Sequence, residues 1–336
     1  MDIHPRWKGF VLAGTALLLL NPLFANDPAW RNRVTTTPPG SFPMLESCHL
    51  TYRLSWNGIL KAGETDISFY GDGSHPKGRG MIYTSATMKS AGLARAMWPY
   101  DGLNESWVDR RSLKPVRVFQ HEEDRQEKNT YRTEFQGPLV TNQWITIPQD
   151  DAEAKETRNR AYHQEPHMMD LVSAMLYLRS LPPRTSGSPF SIICYPFRDP
   201  YLITVKPMGR ENHSIVGRSV PAHRYSISFQ KIQGDQTLKS YDDKLKSASF
   251  WISDDELRLP LELRAEIFVG SIMVTLKKYE KIGGAAEKKF AGLRRQALPV
   301  SSAPTATATT AAVGEEKERR RFFRKRKDEK AAAADQ

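Results

Sequence analysis

Alternating apolar and polar residues run through most of the chain and predict β-strands. In CHLTYRLSW, residues 48–56, every second side chain from Leu50 to Trp56 is apolar, which is the period of a half-buried strand. Asn57-Gly58 follows and is a strong signal for a tight turn. Further predicted strands lie near 67–69, 81–88, 103–109, 114–120, 130–135, 190–195, 201–208, 223–230 and 247–253.

A switch in the apolar positions marks a hairpin late in the chain. The odd positions from 257 to 269 are apolar, whereas after Gly270-Ser271 the apolar residues stand at positions 272, 274 and 276. A single strand would expose one of these two sets to water. We therefore predict a hairpin with Gly270-Ser271 as its central residues, and its facing pairs are Val269–Ile272, Ile267–Val274 and Ala265–Leu276.

Three acidic residues in WISDDELRLPLEL, residues 251–263, allow two interpretations: catalytic carboxylates or a polar turn. Asp254, Asp255 and Glu256 are direct neighbours, and neighbours on a strand face opposite sides, so their carboxylates would not converge on one substrate. Aspartate favours turns because it hydrogen-bonds to its own backbone. We predict a turn between two strands.

One helix is predicted, over about residues 170–181. Asp170 is a candidate N-cap, an apolar stripe follows it, and Pro182-Pro183 end the helix. Residues 136–166 are polar and poorly periodic, and we expect an insert there that is a loop with marginal helix. The predicted fold class is mainly β: a curved antiparallel sheet or incomplete β-barrel with this helix packed on or into it.

The N-terminus has the pattern of an export signal. Two basic residues precede an apolar segment at 10–20, and we expect cleavage after Ala25, with an uncleaved anchor as the alternative. The mature protein is therefore expected in the periplasm. The predicted organisation is a signal peptide at 1–25, an irregular lead-in at 26–44, a single β-rich domain at 45–298 and a disordered basic tail at 299–336.

The formal net charge of +11 is concentrated in the tail. The segment KERRRFFRKRK, residues 317–327, holds eight basic residues and one acid and contributes +7 by itself. The rest is only mildly basic, so we expect no nucleic-acid partner. The tail should attract an anionic membrane surface or cell-wall polymer, unless it is a solvated segment that binds nothing. The residues predicted to make this contact are Arg319, Arg320, Arg321, Phe322, Phe323, Arg324, Lys325 and Arg326.

The two cysteines, Cys48 and Cys194, leave two alternatives. In an exported chain they can form a disulfide, which over so long a loop would stabilise the fold by about 4–5 kcal/mol. Otherwise both are small buried residues on strands. The sequence leaves both open, because it does not show whether their Cα atoms come within bonding range.

Several of these segments together resemble a known family. LTYRLSWNGILKAGET, LNESWVD, MDLVSAMLYLRSLP and FWISDDELRLPLELRAEIFVGSIMVTL occur in this order over about residues 48–280. They resemble the bacterial exported family called domain of unknown function 3108. The resemblance implies an exported, antiparallel β-rich domain with a small helical element, and it implies no catalytic residues.

Candidate catalytic and metal-binding residues are few. His163, Glu165, His167 and Asp170 have a metal-like composition, but Pro166 interrupts the helix that the histidines would share, so we expect no metal site. The chain has neither a GxSxG motif nor the spacing of a phosphate-binding loop. We predict no catalytic residues and no cofactor.

Aromatic residues suggest a binding site instead. Unless they are ordinary sheet core and rim, five of them line a pocket for a hydrophobic or carbohydrate ligand: Trp56, Trp98, Tyr100, Trp107 and Trp251. Segment 90–102 would then be a mobile lip over the pocket, or else a short connecting helix. The expected function is non-enzymatic binding of a hydrophobic or lipid-like envelope ligand. The alternative is an envelope structural or assembly factor that acts through protein or cell-wall contacts and shows an exposed apolar patch. A third hypothesis is an enzyme whose site the sequence does not reveal.

Overall fold

A computed structural model describes residues 28–282, apart from 152, 154, 164, 166–167, 184–186, 197, 216, 241–244 and 268–269. The predicted signal peptide at 1–25 and the predicted tail at 299–336, with its contact residues 319–326, lie outside the described residues. Within the described part, no helix has the length and apolar character that crossing a membrane requires.

Strands dominate the described residues. The strands are β1 Cys48–Trp56, β2 Leu60–Tyr70, β3 Ile82–Ser90, β4 Tyr100–Val108, β5 Pro115–Asp124, β6 Glu127–Gln136, β7 Leu139–Pro148, β8 Glu156–His163, β9 Met168–Met169, β10 Phe190–Cys194, β11 Tyr201–Ile215, β12 Arg218–Ile232, β13 Leu238–Ser240, β14 Leu245–Ser253, β15 Pro260–Ile267 and β16 Ser271–Lys281. The helices are α1 Gly92–Met97 and α2 Leu171–Ser180, and Ala29–Arg33 form a 3-10 turn. Segment 90–102 thus contains a short connecting helix, α1.

All of these strands belong to one sheet. Its order is β8-β7-β6-β5-β4-β3-β2-β1-β16-β15-β14-β12-β11-β10-β9, and β13 pairs with β12 outside this path. Apart from the parallel pair β9–β10, the named strands pair antiparallel. The first and last strands therefore pair at the centre of the sheet, and β8 and β9 form its edges.

The two edges of the sheet lie close to each other. β8 ends at His163 and β9 begins at Met168, and a chain segment of this length spans at most about 18 Å. A sheet of this many strands reaches such an arrangement only by curling. The result is one open curved sheet, an incomplete barrel, and the predicted fold class is confirmed.

Strand β10 is buried on both faces. Ile192 and Cys194 pack in a cluster with α2, whereas Ile193 packs with Val118 of β5 and Val140 of β7. Burial on both faces explains why successive residues of this strand are apolar. The β10 end of the sheet therefore lies between α2 and the strands of the opposite edge.

Helix α2 spans the concave side of the sheet. It contacts β4 on one side and β9 and β10 on the other. The side chain of Asp170 accepts the N–H of Ser173 at 2.7 Å, which is the predicted N-cap interaction, and it also accepts the hydroxyl of Ser106 on β4 at 2.6 Å. The helix ends at Ser180, just before Pro182-Pro183.

The lead-in is held against β10 and α2 by hydrogen bonds. The Thr35 N–H donates to the Ser191 carbonyl at 2.7 Å, and the Tyr177 hydroxyl donates to the Thr37 carbonyl at 2.9 Å. The Gly40 N–H donates to the Ser180 hydroxyl at 3.0 Å. A Cβ atom at this glycine would stand 2.1 Å from a main-chain oxygen, so the close approach requires glycine.

Residues 136–166 form strands, and the prediction of a loop with marginal helix was wrong. β7 and β8 continue the sheet beyond β6. Val140 and Trp144 are buried, and the Asn142 amide donates to the Thr133 hydroxyl at 2.8 Å. Three guanidinium groups cover the Trp144 ring, with their central carbons 4.7–5.4 Å from its centroid. They belong to Arg158, Arg160 and Arg198. Polar and charged groups thus make many of the buried contacts of these strands. The sequence therefore lacks the apolar alternation that would have predicted them.

The hairpin of β15 and β16 is present, but its predicted register was wrong by four residues. Ala265 faces Ile272, not Leu276, and the Ile267 N–H donates to the Gly270 carbonyl at 3.0 Å. Val269 lies outside the described residues. The reason is Asn57 of the β1–β2 turn: its side-chain oxygen accepts the Ser271 N–H at 2.6 Å, and its own N–H donates to the Ser271 carbonyl at 2.8 Å. A register shift by an even number of residues leaves each side chain on the same face of the sheet. The apolar pattern therefore does not distinguish the two registers.

Candidate functional site

The acidic segment Asp254–Glu256 forms the turn between β14 and β15, so the turn interpretation is confirmed. One Asp255 oxygen accepts the main-chain N–H groups of Leu257 and Arg258 at 3.0 and 2.9 Å. Asp254 instead meets His223 at 2.8 Å and Arg210 at 2.5 Å. The hydrogen bond from His223, together with that from Arg210, outweighs the effect of burial and holds the pKa of Asp254 below its ordinary value. The neighbouring carboxylates thus have separate structural partners.

This turn directs Arg258 into the interior. The residue adopts a positive φ of 47°, and only 1% of its surface is exposed. Its Nη1 donates to the Leu181 carbonyl beyond the end of α2. The Tyr225 hydroxyl lies near the guanidinium, but no acceptor among the described residues meets Nε or Nη2 with hydrogen-bond geometry.

A second buried guanidinium, from Arg179 of α2, lies beside it. Arg179 is 4% exposed, its Nε and Nη2 donate to the Leu257 carbonyl at 3.0 and 2.8 Å, and its Nη1 donates to the Pro43 carbonyl. The ring of Phe42 lies 5.2 Å from the Arg179 guanidinium and 4.7 Å from that of Arg258. We call Arg179 and Arg258 the arginine pair.

The arginine pair holds two positive charges in the interior without a salt bridge. Within the described part of the chain, no carboxylate lies within 4.0 Å of either guanidinium. Burial, followed by the charge of Arg258, lowers the pKa of Arg179 to about 10, and burial also lowers the pKa of Arg258. Their hydrogen-bond acceptors are main-chain carbonyls, and the charges of Asp255 near Arg179 and of Asp254 near Arg258 act only from beyond salt-bridge distance.

The surroundings of the arginine pair are apolar on one side and open on the other. Cys48 near Arg179 and Tyr225 near Arg258 belong to the two apolar clusters that pack on α2. Next to Pro43, Met44 lines a surface cleft of about 540 Å³. The other residues that line this cleft are Gly71, Gly80, Asp109, Arg110 and Arg111. Lead-in residues 42–44 therefore contact both the arginine pair, through Phe42 and Pro43, and the cleft, through Met44.

The five aromatic residues predicted to form one pocket lie in separate environments. Trp56 ends β1 and faces Leu60 and Ile272 of the neighbouring strands. Trp98 caps α1 and is exposed, and the Tyr100 hydroxyl donates to Glu122 at 3.3 Å. The structure thus separates the residues that the prediction grouped.

Trp107 borders a second cleft, on the face of β4 to β6. Its ring lies 5.3 Å from that of Tyr83, and the Arg117 guanidinium covers it at 4.0 Å. The indole N–H donates to the Lys77 carbonyl at 2.7 Å. The cleft has a volume of about 310 Å³ and is lined by Glu105, Trp107, Arg117, Val118, Phe119, Arg132 and Glu134.

Trp251 is buried beneath the β11–β12 hairpin. Its ring stacks on His213 at 4.6 Å, and its N–H donates to Glu211 at 2.6 Å. Beside it, Glu262 is 2% exposed and accepts from Arg264 at 2.7 Å, with His213 at 3.3 Å. Burial raises the pKa of Glu262, but hydrogen bonds from His213 and Arg264 outweigh it, so the pKa lies below the ordinary value. This charged cluster is internally compensated.

Both cysteines are free and buried, which is the second of the two alternatives for them. Cys48 lies on β1 and Cys194 on β10, in different core clusters. Burial raises the pKa of the Cys48 thiol to about 12 and also raises that of Cys194. Neither thiol has the low pKa of a nucleophilic cysteine.

The residues of the metal-like motif have other partners where they are described. Glu165 forms a salt bridge with Arg31, and Asp170 caps α2. His167 and the side chain of His163 lie outside the described residues. In the described residues, no group of three or more His, Cys, Asp or Glu side chains has a metal-binding arrangement.

Sequence reasoning did not identify the arginine pair. One signal was present: Arg179 stands three residues after Leu176 and four after Met175, on the apolar side of a helix that was expected to be buried. Arg258 lies between Leu257 and Leu259, on the polar side of the alternation that follows the predicted turn, where an arginine would ordinarily be exposed.

Comparisons with known proteins give a family and a distant structural likeness. The model of the family described as "Protein of unknown function (DUF3108)" matches residues 51–277. No curated protein matches the chain. A crystal structure of a "Beta-barrel-like Protein of Domain of Unknown Function DUF1849 from Brucella abortus" is similar at 9% sequence identity with a TM-score of 0.46, over 72% of this chain and 100% of that one.

Proposed function

Because the chain belongs to the DUF3108 family of proteins of unknown function, we propose its function from its own side chains. It is a non-enzymatic binding protein for an amphipathic ligand with an anionic head group, such as a fatty acid or an acidic lipid. The observation that carries the proposal is the arginine pair, which is buried in an apolar interior without a carboxylate partner.

The charge of the pair matches the head group of such a ligand. A buried cation without a counter-ion is unfavourable by several kcal/mol, even when carbonyls accept its hydrogen bonds. A carboxylate or phosphate offers two acceptor oxygens in the geometry of a guanidinium fork and neutralises the charge. The Nε and Nη2 of Arg258, which have the Tyr225 hydroxyl beside them, supply such a fork. The apolar clusters on α2 suit an acyl chain.

The lead-in supplies the entrance. Pro43 contributes one carbonyl to Arg179, and Phe42 covers both guanidinium groups, with the cleft at Met44 on the outer side. An anionic head group that enters from this cleft replaces the Pro43 carbonyl and displaces the Phe42 ring. Arg110 and Arg111 at the cleft attract the anion before it enters.

A fluorescent fatty acid, 11-dansylaminoundecanoic acid, tests this on the full chain. We expect saturable binding that falls by roughly 30-fold or more in Arg258→Met, the usual effect of removing one side of a buried charge pair. The uncharged methyl ester of the probe should bind weakly to both proteins. Arg264→Met is the matched control, because its guanidinium serves Glu262, and it should bind the acid normally.

Equal affinity for the acid and the ester would overturn the head-group assignment, and no saturable binding of either probe would overturn the proposed function. Native mass spectrometry of protein purified without detergent gives an independent readout. A discrete adduct that is lost on denaturation, and lost in Arg258→Met, is the expected result.

We propose further that the protein is exported to the periplasm and that tail residues 319–326 hold it at an anionic surface. The support is the signal-like N-terminus and the +7 charge of residues 317–327. Fractionation of cells tests the first part. Binding of anionic vesicles by the full chain, compared with a chain that lacks residues 299–336, tests the second, and equal binding by both would contradict it.

A further inference from the structure

Large apolar side chains are exposed together at one end of the sheet. The exposed fraction is 84% for Ile59, 71% for Met97, 64% for Trp98 and 60% for Leu93. We call these four residues the apolar rim. Leu60 and Met88 beside them are also partly exposed, at 47% and 36%. Isolated apolar residues on a surface need no explanation, but a contiguous group of this kind marks an interaction site.

The topology brings the apolar rim together. Ile59 lies in the β1–β2 turn, and between β3 and β4 α1 carries Leu93 and Met97, with Trp98 as its C-cap. α1 packs beside β2, where the Ala91 N–H donates to the Ala62 carbonyl at 2.9 Å. α1 buries none of its residues. Its apolar side chains therefore do not form part of the core, and packing within the chain does not account for them.

The rim is exposed, and cationic side chains flank it. Its members stand on two separate connections at the end of the sheet, and each residue is more than half exposed, so their side chains project into solvent. Lys61 and Arg95 flank it, each paired on the surface with an acid, and Lys89 is a further exposed cation. Protruding Trp, Leu and Met side chains among lysines and arginines are the composition that inserts into the interface of a phospholipid bilayer.

We infer that the apolar rim is a membrane-docking surface that inserts Ile59, Leu93, Met97 and Trp98 among phospholipid head groups and upper acyl chains. The flanking cations contact lipid phosphates. A protein partner fits these observations less well, because a protein interface needs a complementary surface around fixed side chains, whereas lipid adapts to separate protruding ones. The inference is independent of the arginine pair and of the predicted tail.

Trp98 provides a direct probe of insertion. The full chain is mixed with phosphatidylcholine vesicles whose acyl chains are brominated near the head group, at 0.5 M NaCl, where the contribution of a basic tail is screened. We expect quenching of the tryptophan fluorescence that Trp98→Phe abolishes, although the other tryptophans remain. A quenched signal that persists in Trp98→Phe would overturn the assignment.

Vesicle sedimentation measures the affinity. Leu93→Ser, Met97→Ser and Trp98→Ser combined should lower partitioning to these vesicles by roughly a hundredfold or more, since each side chain loses favourable burial in the bilayer. The melting temperature should stay the same because these side chains are exposed. Unchanged partitioning of the triple variant would overturn the inference. A second result would also overturn it: a wild-type protein that is dimeric in light scattering and a triple variant that is monomeric. The rim would then bind a second copy of the chain instead of lipid.

Discussion

Replacing Arg258 with methionine tests whether the arginine pair is kept for binding or for folding. The substitution removes the hydrogen bond to the Leu181 carbonyl, which as a charged hydrogen bond contributes about 1.5–3 kcal/mol, and the contact with Phe42 at 4.7 Å, about 0.5–2 kcal/mol. It also removes a cation that is 1% exposed, and burying such an ion costs several kcal/mol even after relaxation. Methionine keeps most of the apolar volume.

The lost contacts and the removed penalty are of similar size, and removing Arg258 also relieves its repulsion of Arg179, so we expect Arg258→Met to be more stable than the wild type. Exchange of buried charges for apolar residues stabilises proteins by up to about 1–4 kcal/mol. In a domain of this size each kcal/mol raises the melting temperature by roughly 2–4 °C. Urea denaturation and calorimetry on the ligand-free protein measure the change.

Arg264→Met is the control, and we expect it to change the free energy of unfolding in the opposite direction. Its guanidinium serves Glu262, a carboxylate that is 2% exposed, so its removal should destabilise the fold by about 1–3 kcal/mol. If Arg258→Met is destabilised as much as Arg264→Met, the arginine pair is a structural link that joins the lead-in, α2 and the β14–β15 turn, and its burial does not indicate a ligand site.

Four further predictions concern the rest of the fold. Trp144→Ala should lower the free energy of unfolding by about 3–5 kcal/mol in urea, because the ring is buried on β7; a loop residue would change it by less than about 0.5 kcal/mol. Glu262→Gln should be less stable than the wild type at pH 7. The carboxyl has a lowered pKa, so its charged form stabilises the fold above its unfolded pKa, and this contribution is lost as the pH falls through its folded pKa. The two melting temperatures should therefore approach each other as the pH falls below about 4.3, the ordinary pKa of a glutamate. Cys48 and Cys194 should react with a thiol reagent only in denaturant, without prior reduction; titration of no thiols there would contradict the free cysteines. Gly40→Ala should loosen the lead-in, since its Cβ would stand 2.1 Å from a main-chain oxygen, and chymotrypsin should then cleave the lead-in faster than in the wild type.

Local sequence patterns predicted those elements whose structure is determined by residues close together in the chain. The alternation in β1, the apolar stripe with its Asp170 cap in α2 and the acidic turn at 254–256 each follow from side chains a few positions apart. β7 escaped prediction because its buried face includes Asn142, which bonds to a neighbouring strand, and Trp144, which arginines cover. In such a strand, apolar periodicity is a poor guide.

Long-range contacts determined what the sequence left open. The register of the last hairpin depends on Asn57, more than two hundred residues earlier, and an even shift leaves the same faces buried. Arg179 and Arg258 come together only because α2 and the β14–β15 turn meet inside the curved sheet. No motif links the two residues, so a single sequence predicts neither their proximity nor their burial.

The pairing of β1 with β16 also affects the folding kinetics. Cys48 faces Lys281 across this pair, so the central strand of the sheet lacks one neighbour until almost the whole described chain is available. Closing a loop of more than two hundred residues is entropically unfavourable, and folding that depends on such contacts is slow. Nascent chains should therefore expose an unpaired edge of β1, where a chaperone can bind before the curved sheet assembles.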